Sequence, residues 1–322
     1  MVECQPMPAS APHPIPRWPA LRAGLVGATA SVWLVLSGPL PAIAAPACPP
    51  PQAPVQTLRA LAEARWQLAD PAAREPLALA LLPCLASPDP ELRDTLAFTA
   101  LSTWLRGEEL SADAARRLGA HALQVLAAPD GQGFDAPFAA LLLAEVARVD
   151  RQRPLWSQAE REQVLGVAER YLSLTRDYRG FDPVHGWRHA VAHGADLMMQ
   201  LALNPALGRP ELDRIRAAVA AQVAPSTHFY IFGESERLMR PVVFMARRGL
   251  HEADEWKTWM TELAAAARGA PGAPPDMATL ARQHNTKAFL LALHALLHEA
   301  DDAVLRERLL PAVSATLRAL LP

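Results

Sequence analysis

The amino-acid sequence predicts an all-α protein of about twelve helices that lie in antiparallel pairs. Ala and Leu abound in this chain of 322 residues, which is 51% hydrophobic, and both residue types favour helices over strands. Apolar residues recur at helical spacing between short breaks that contain Pro, Gly, Asn or Asp. Adjacent pairs of these segments recur roughly every forty residues, a period typical of stacked helical hairpins.

Four helices are expected in the first part of the chain after the leader, and turn or capping residues separate them. Pro71 and Pro88 each follow a helix, because proline cannot continue the helical hydrogen-bond pattern. Pro90 suits the first position of the third helix, and Ser111 suits the N-cap of the fourth. The four predicted helices cover residues 55–68, 72–85, 91–105 and 111–126.

Three further helices are expected in the middle of the chain. The segment 129–131 breaks the chain before them, and Ser157 with Glu160 forms a capping box at the start of the second. Asn204 and Pro205 close the third. These helices are predicted at residues 137–149, 157–175 and 182–203.

The last part of the chain predicts five helices and no convincing strand. A loop at 225–232 contains His228 and Tyr230, Gly249 ends a helix, and a Gly/Pro loop covers 269–275. The five helices are predicted at residues 210–223, 234–248, 251–267, 277–299 and 303–320.

The pairing of these helices predicts a HEAT-like α-solenoid, a curved right-handed stack, with a closed α/α barrel as the alternative. The segment 89–93, DPELR, followed by Ala97, Ala100 and Leu101, looks like one HEAT-type unit. Both architectures place one helix of each pair on an inner side, where a site would lie. Residues 45–322 are therefore expected to form a single helical repeat-like domain.

Residues 1–44 are expected to be a signal peptide. Arg17 and Arg22 give a positive start, the segment 21–36 is mostly apolar, and residues 42–44 (AIA) supply a cleavage site. A membrane anchor is the alternative, but it needs about 20 apolar residues, and this run is shorter and ends in prolines. The pattern thus predicts a periplasmic or otherwise exported protein that begins near Ala45 and has no membrane span after cleavage.

The cysteines agree with export. Cys4 would leave with the leader, so that Cys48 and Cys84 remain as a pair that can form one disulfide in an oxidising compartment. The alternative is a lipid anchor through Cys48. Ala45 stands where such a site normally has a leucine-like residue, and the neighbouring Pro46 fits poorly. The formal charge of -2 excludes a nucleic-acid partner, which needs a basic excess.

Residues 178–196 carry the most specific pattern in the chain. If a helix begins near Asp182, Trp187 lies on its apolar side and packs into the core. The opposite side is then one narrow polar stripe, formed by His185, His189, His193, Asp196 and Gln200.

The stripe predicts a shared polar pocket. Tyr178 and Arg179 should lie near it, and the segment 232–237 should supply its partners, through Glu234 or Glu236. Buried imidazoles and carboxylates need such partners. The predicted binding residues are therefore His185, His189, His193, Asp196, Tyr178, Arg179, Glu234 and Glu236.

His189 and His193 are one helical turn apart, a spacing at which two imidazoles can reach one divalent metal ion. Ala190 replaces the glutamate that serves as general base in H-E-x-x-H proteins, and Asp196 would orient His193 rather than bind the ion. A third ligand would come from Glu234, Glu236, His228 or His284. A hydrogen-bonded seam between helices and a binding pocket without metal are the other two interpretations, so that no cofactor is assigned.

The histidine spacing has an echo later in the chain. Residues 189–196, HAVAHGAD, and 294–301, HALLHEAD, share the pattern H-x-x-x-H-x-x-D. Chance or a degenerate helical repeat explains this echo. His294 and His298 lie in a leucine-rich helix, and one of them is expected in the core.

The segment 186–196 contains GW-x-H-x-x-x-H-x-A-D and resembles a bacterial family, the domain of unknown function 2785, some of whose members are exported. The resemblance implies a helical repeat-like fold and brings no activity with it. Two functional hypotheses remain. The first is an exported binding or scaffold module for a protein, peptide or small-molecule ligand. The second is a metal-dependent hydrolase centred on His189 and His193.

Overall fold

The computed structural model describes residues 47–128, 132–269 and 274–320, and this part of the chain is all-α, as predicted. The expected signal peptide at 1–44 lies outside it. None of the described helices is both long and apolar enough to cross a membrane. The twelve described α-helices, α1 to α12 in chain order, are Val55–Glu63, Arg74–Ala80, Thr99–Arg106, Ala112–Leu126, Asp135–Gln152, Gln158–Leu174, Ala190–Leu203, Arg209–Val223, Glu234–Arg248, Ala253–Ala267, Met277–Glu299 and Ala303–Leu320.

Capping residues explain several helix ends. Ser111 Oγ accepts a hydrogen bond of 3.1 Å from the backbone N–H of Ala114 at the start of α4. Ser157 and Glu160 form the predicted capping box of α6. Gly249, with φ +71°, ends α9 in the left-handed region that favours glycine. Local sequence therefore sets these boundaries.

Short elements flank the helices. Two 3₁₀ turns, Pro71–Ala73 and Leu82–Ala86, replace the two ends of the second predicted helix, and a π-helical segment, Glu91–Phe98, leads into α3. Two strands of two residues, β1 (Phe181–Asp182) and β2 (Gly186–Trp187), pair antiparallel as a small hairpin. The expectation of no strand is therefore wrong at this one place in the described chain.

The helices pack in pairs along the chain. α3, α5, α7, α9 and α11 contact one another in that order, and α4, α6, α8, α10 and α12 pack against them. Trp104 and Trp256 are fully buried in the core, and the indole N–H of Trp104 donates to the Trp66 carbonyl at 2.9 Å. This pairing fits stacked hairpins, while the curvature and handedness of a solenoid stay predictions.

The predicted disulfide joins Cys48 to Cys84, whose Cα atoms are 5.1 Å apart. Cys84 is fully buried and Cys48 packs against the same core. The bond therefore ties the segment that precedes α1 to the 3₁₀ turn Leu82–Ala86.

The central helix starts later than predicted, at Ala190 rather than near Asp182. The Asp182 carboxylate accepts hydrogen bonds from the backbone N–H groups of Val184 (3.0 Å) and His185 (2.6 Å). Such a side-chain turn competes with a helix for the same N–H groups. Gly186, with φ +69°, completes the reversal into β2.

Candidate functional site

Arg93 holds the hairpin in place. Its side chain is fully buried, and Nη2 donates to the carbonyl oxygens of His185 (2.7 Å) and Trp187 (3.0 Å). The guanidinium carbon lies 4.5 Å from the ring centroid of Phe134 and 4.9 Å from that of Phe138. Arg93 thus gives two backbone carbonyl groups of the hairpin a hydrogen-bond donor.

Three rings form what we call the aromatic surface: Phe181, Trp187 and Phe232. The Trp187 ring centroid lies 5.0 Å from that of Phe181 and 5.9 Å from that of Phe232. Phe181 is 47% exposed and Trp187 37% exposed. The expectation that Trp187 packs into the core is therefore wrong, because Trp187 belongs to the hairpin and not to α7.

Gly180 allows Phe232 to reach this surface. A Cβ atom at Gly180 would lie 2.0 Å from the Phe232 ring, so that any other residue would displace the ring. Phe232 ends the loop 225–232. Asn285 of α11 holds this loop, because its Nδ2 donates to the carbonyls of Pro225 (3.2 Å) and His228 (2.8 Å). The aromatic surface therefore depends on contacts between distant parts of the chain.

His189 lies beneath the aromatic surface, in the last position before α7. Its backbone is left-handed, with φ 56°, which is uncommon for a residue with a side chain. The imidazole stacks on Trp187 at 4.1 Å between ring centroids. Its Nδ1 is buried and has no hydrogen-bond partner among the described residues. Burial, and next the positive charge of Arg237, lowers the pKa of His189 to about 4, so the ring is neutral at pH 7.

His193 faces the protein interior. Its Nδ1 lies 3.1 Å from the carbonyl oxygen of Pro137, and its ring meets Phe138 edge to face at 5.1 Å. Burial lowers the pKa of His193 to about 3, with His189 and Arg237 adding to the shift. A neutral ring that donates from Nδ1 to the carbonyl satisfies this arrangement.

Asp196 pairs with Arg237 and not with His193, which corrects the expectation that it orients this histidine. Arg237 Nε donates to Asp196 Oδ1 at 2.8 Å, its Nη2 donates to Oδ2, and Arg240 lies 3.9 Å away. Burial raises the pKa of Asp196, and the two arginines oppose this shift. The segment 232–237 does supply a partner to the stripe, but through its arginine rather than its acids.

The two predicted acids of α9 have other environments. Glu234 is buried at the start of α9, and its carboxylate accepts a hydrogen bond of 2.9 Å from the backbone N–H of Phe232. Burial raises the pKa of Glu234, and its own backbone and that of Phe232 oppose the shift. Glu236 is exposed. Glu234 therefore positions Phe232.

The remaining predicted residues, Tyr178, Arg179 and His185, each have partners of their own. Tyr178 stacks on His228, with ring centroids 5.6 Å apart. Arg179 pairs with Asp177 at 2.5 Å. His185 lies in the hairpin, where its Nδ1 is 3.3 Å from Asp182. The single polar stripe thus divides into several small groups, because only its second half is on a helix.

The His189 and His193 ring centroids are 5.8 Å apart. Within the described ranges, no group of three or more His, Cys, Asp or Glu residues could hold a metal ion. The third-ligand candidates Glu234, Glu236, His228 and His284 therefore complete no such site with them.

Sequence reasoning missed Arg93, Phe181 and Gly180 as parts of the site. The sequence offered weak signals: an arginine among the apolar positions of the segment 89–101, and a glycine directly before an aromatic residue. The roles of Arg93 and Gly180 became visible only through contacts with residues far away in the chain.

A family model described as "Protein of unknown function (DUF2785)" matches residues 127–295, which is more than half of the chain. The matched segment contains the hairpin, α7 and α9. Neither a curated protein nor a solved structure shows significant similarity to the chain.

Proposed function

This chain belongs to the DUF2785 family, and we propose that it is an exported binding module whose ligand contacts the aromatic surface and His189. Contiguous exposed apolar side chains mark surfaces that bind a ligand or a partner. A protein segment, a peptide or a small molecule with an apolar group fits this chemistry. The disulfide is compatible with export, because such bonds persist in oxidising compartments.

His189 is the observation that carries the proposal. It combines a left-handed backbone, a buried ring nitrogen without a described partner, and stacking on an exposed tryptophan. Strained non-glycine residues of this kind cost about 1–3 kcal/mol and cluster at ligand-binding and active sites. An unpaired buried polar atom likewise calls for a water, an ion or a ligand group.

Rigid support around the surface strengthens the proposal. Arg93 fixes the hairpin carbonyls, Glu234 fixes the backbone of Phe232, and Asn285 fixes the loop before it. A preformed surface loses less conformational entropy when it binds. The metal-dependent hydrolase has weaker support. The Asp196 carboxylate is paired with Arg237, and Nδ1 of His193 contacts the carbonyl oxygen of Pro137.

The fluorescence of Trp187 can report ligand binding. Trp187 is 37% exposed, whereas the other tryptophans in the described part of the chain are at most 8% exposed. We expect fractions of envelope peptides and metabolites to change the tryptophan emission of the parent chain, and mass spectrometry then identifies the bound component. In Trp187→Phe the emission change should disappear.

Two variants and one control test the site itself. His189→Asn removes the imidazole while keeping a residue that tolerates the left-handed region, and Gly180→Ala displaces Phe232. Both should weaken binding of the identified component. Val304→Ala, at another exposed apolar side chain, should not. Equal affinity in all four proteins, or no responding component, contradicts the proposed function.

A further inference from the structure

The second H-x-x-x-H pair differs from the first in geometry. His294 and His298 both lie inside α11, and their ring centroids are 4.4 Å apart. Their Nε2 atoms approach each other to 3.3 Å on the exposed side of the helix. The expectation that one of them packs in the core is wrong, because the buried leucines of this helical turn, Leu293 and Leu297, occupy the neighbouring face.

We propose that His294 and His298 together bind one divalent transition-metal ion. Zinc–imidazole bonds of about 2.0–2.1 Å at a tetrahedral angle place two nitrogens roughly 3.3 Å apart, which is the separation already present here. The two Nε2 atoms come from adjacent turns of one helix and are already at this separation. Imidazole ligands suit Zn²⁺, Ni²⁺ and Cu²⁺, and two protein ligands leave the other positions to water.

The pair at His189 and His193 lacks this arrangement of two accessible nitrogens on adjacent turns of one helix. His193 is buried and uses Nδ1 on the Pro137 carbonyl, and His189 precedes the helix with a left-handed backbone. Their ring centroids are 5.8 Å apart. Identical spacing in the sequence therefore gives two different arrangements, and the geometry favours the second pair for the ion.

A hydrogen bond between the two rings is the competing explanation of their short contact. In that case, Nε2–H of one imidazole donates to Nε2 of the other, and no ion is needed. Titration with Zn²⁺ distinguishes the two. We expect the exported chain, purified without a histidine tag, to take up Zn²⁺ at this site in isothermal titration calorimetry.

Single substitutions locate the site. Loss of an outer-shell partner alone costs about 10–100-fold in metal affinity, so that His294→Ala or His298→Ala should weaken Zn²⁺ binding at least about tenfold. His284→Ala is the matched control, since this exposed histidine of α11 has no second imidazole one turn away. It should bind Zn²⁺ as the parent does.

Chemical modification supplies a readout that does not depend on variants. Zn²⁺ should protect His294 and His298, but not His284, from carbethoxylation, as mapped by mass spectrometry of peptides. Circular dichroism checks that each variant is folded. No Zn²⁺ uptake by the parent, unchanged affinity in both variants, or a loss caused by His189→Asn but not by His298→Ala would each overturn the proposal.

Discussion

The guanidinium of Arg93 donates a hydrogen bond of 3.0 Å to the carbonyl oxygen of Trp187, although 94 positions separate the two residues. The same Nη2 also reaches the His185 carbonyl at 2.7 Å, and Nη1 donates to the Ser87 carbonyl at 2.8 Å. One buried side chain therefore links the start of the π-helical segment to the hairpin that carries the aromatic surface.

Arg93→Met should destabilise the fold by roughly 3–5 kcal/mol, the cost of breaking a buried charged interaction. The substitution leaves several carbonyls without a donor and removes the stacking on Phe134 and Phe138. Urea denaturation measures the change. Arg59→Ala is the control, because this arginine pairs with Glu91 of the same segment at the surface and its loss should have little effect. Similar midpoints for Arg93→Met and the parent would show that the hairpin does not need this anchor.

Asp196 and Arg237 should be energetically coupled. A double-mutant cycle with Asp196→Ala and Arg237→Ala should give a coupling free energy of about 1–3 kcal/mol, because the two-point pair joins α7 to α9 across a mostly buried contact. The cycle of Asp196→Ala with His193→Ala should give a smaller coupling free energy, since these residues share no hydrogen bond. A larger coupling free energy for Asp196 with His193 than for Asp196 with Arg237 would support a histidine–aspartate seam instead.

The stability of the protein should fall as the pH drops below about 6.5. Burial lowers the pKa of His193 to about 3, so that the unfolded chain binds more protons than the folded one between that value and the ordinary histidine pKa of 6.5. The free energy of unfolding then decreases by at most about 1.4 kcal/mol per pH unit from this group. Above this window His193 is neutral in both states and contributes no slope.

His193→Gln tests this dependence because its amide can still donate to the Pro137 carbonyl without titrating. Its plot of unfolding free energy against pH should be shallower than that of the parent between pH 6.5 and pH 4. Denaturation curves at several pH values provide the comparison. Parallel plots for the two proteins would mean that His193 is not responsible for the pH dependence of the stability.

The Cys48–Cys84 disulfide should stabilise the fold by about 3–4 kcal/mol in the chain-entropy model, because it closes a loop with a sequence separation of 36. Cys48→Ser with Cys84→Ser should lower the free energy of unfolding by this amount, measured with urea. Thiol titration of the unreduced, denatured parent should find neither cysteine free. One free thiol together with a lipid-sized mass would indicate an acylated Cys48 instead.

Helix boundaries were well predicted where local interactions decide them. α9 and α12 begin and end where the sequence indicated, and α11 covers the predicted residues 277–299. Their caps and their apolar periodicity act within a few residues. The start of α7 was missed, since the Asp182 turn and the hairpin compete there with a helix.

The sequence by itself determined the all-α class, the order of the helices and the pair of cysteines, because these follow from periodicity, capping and composition. Only the tertiary structure decided which polar groups meet. Asp196 finds Arg237 rather than His193, and Trp187 is exposed beside Phe232 rather than packed in the core. The physical reason is that a buried charge pairs with whichever opposite charge the packing of distant helices brings near, and spacing along one helix does not contain that information.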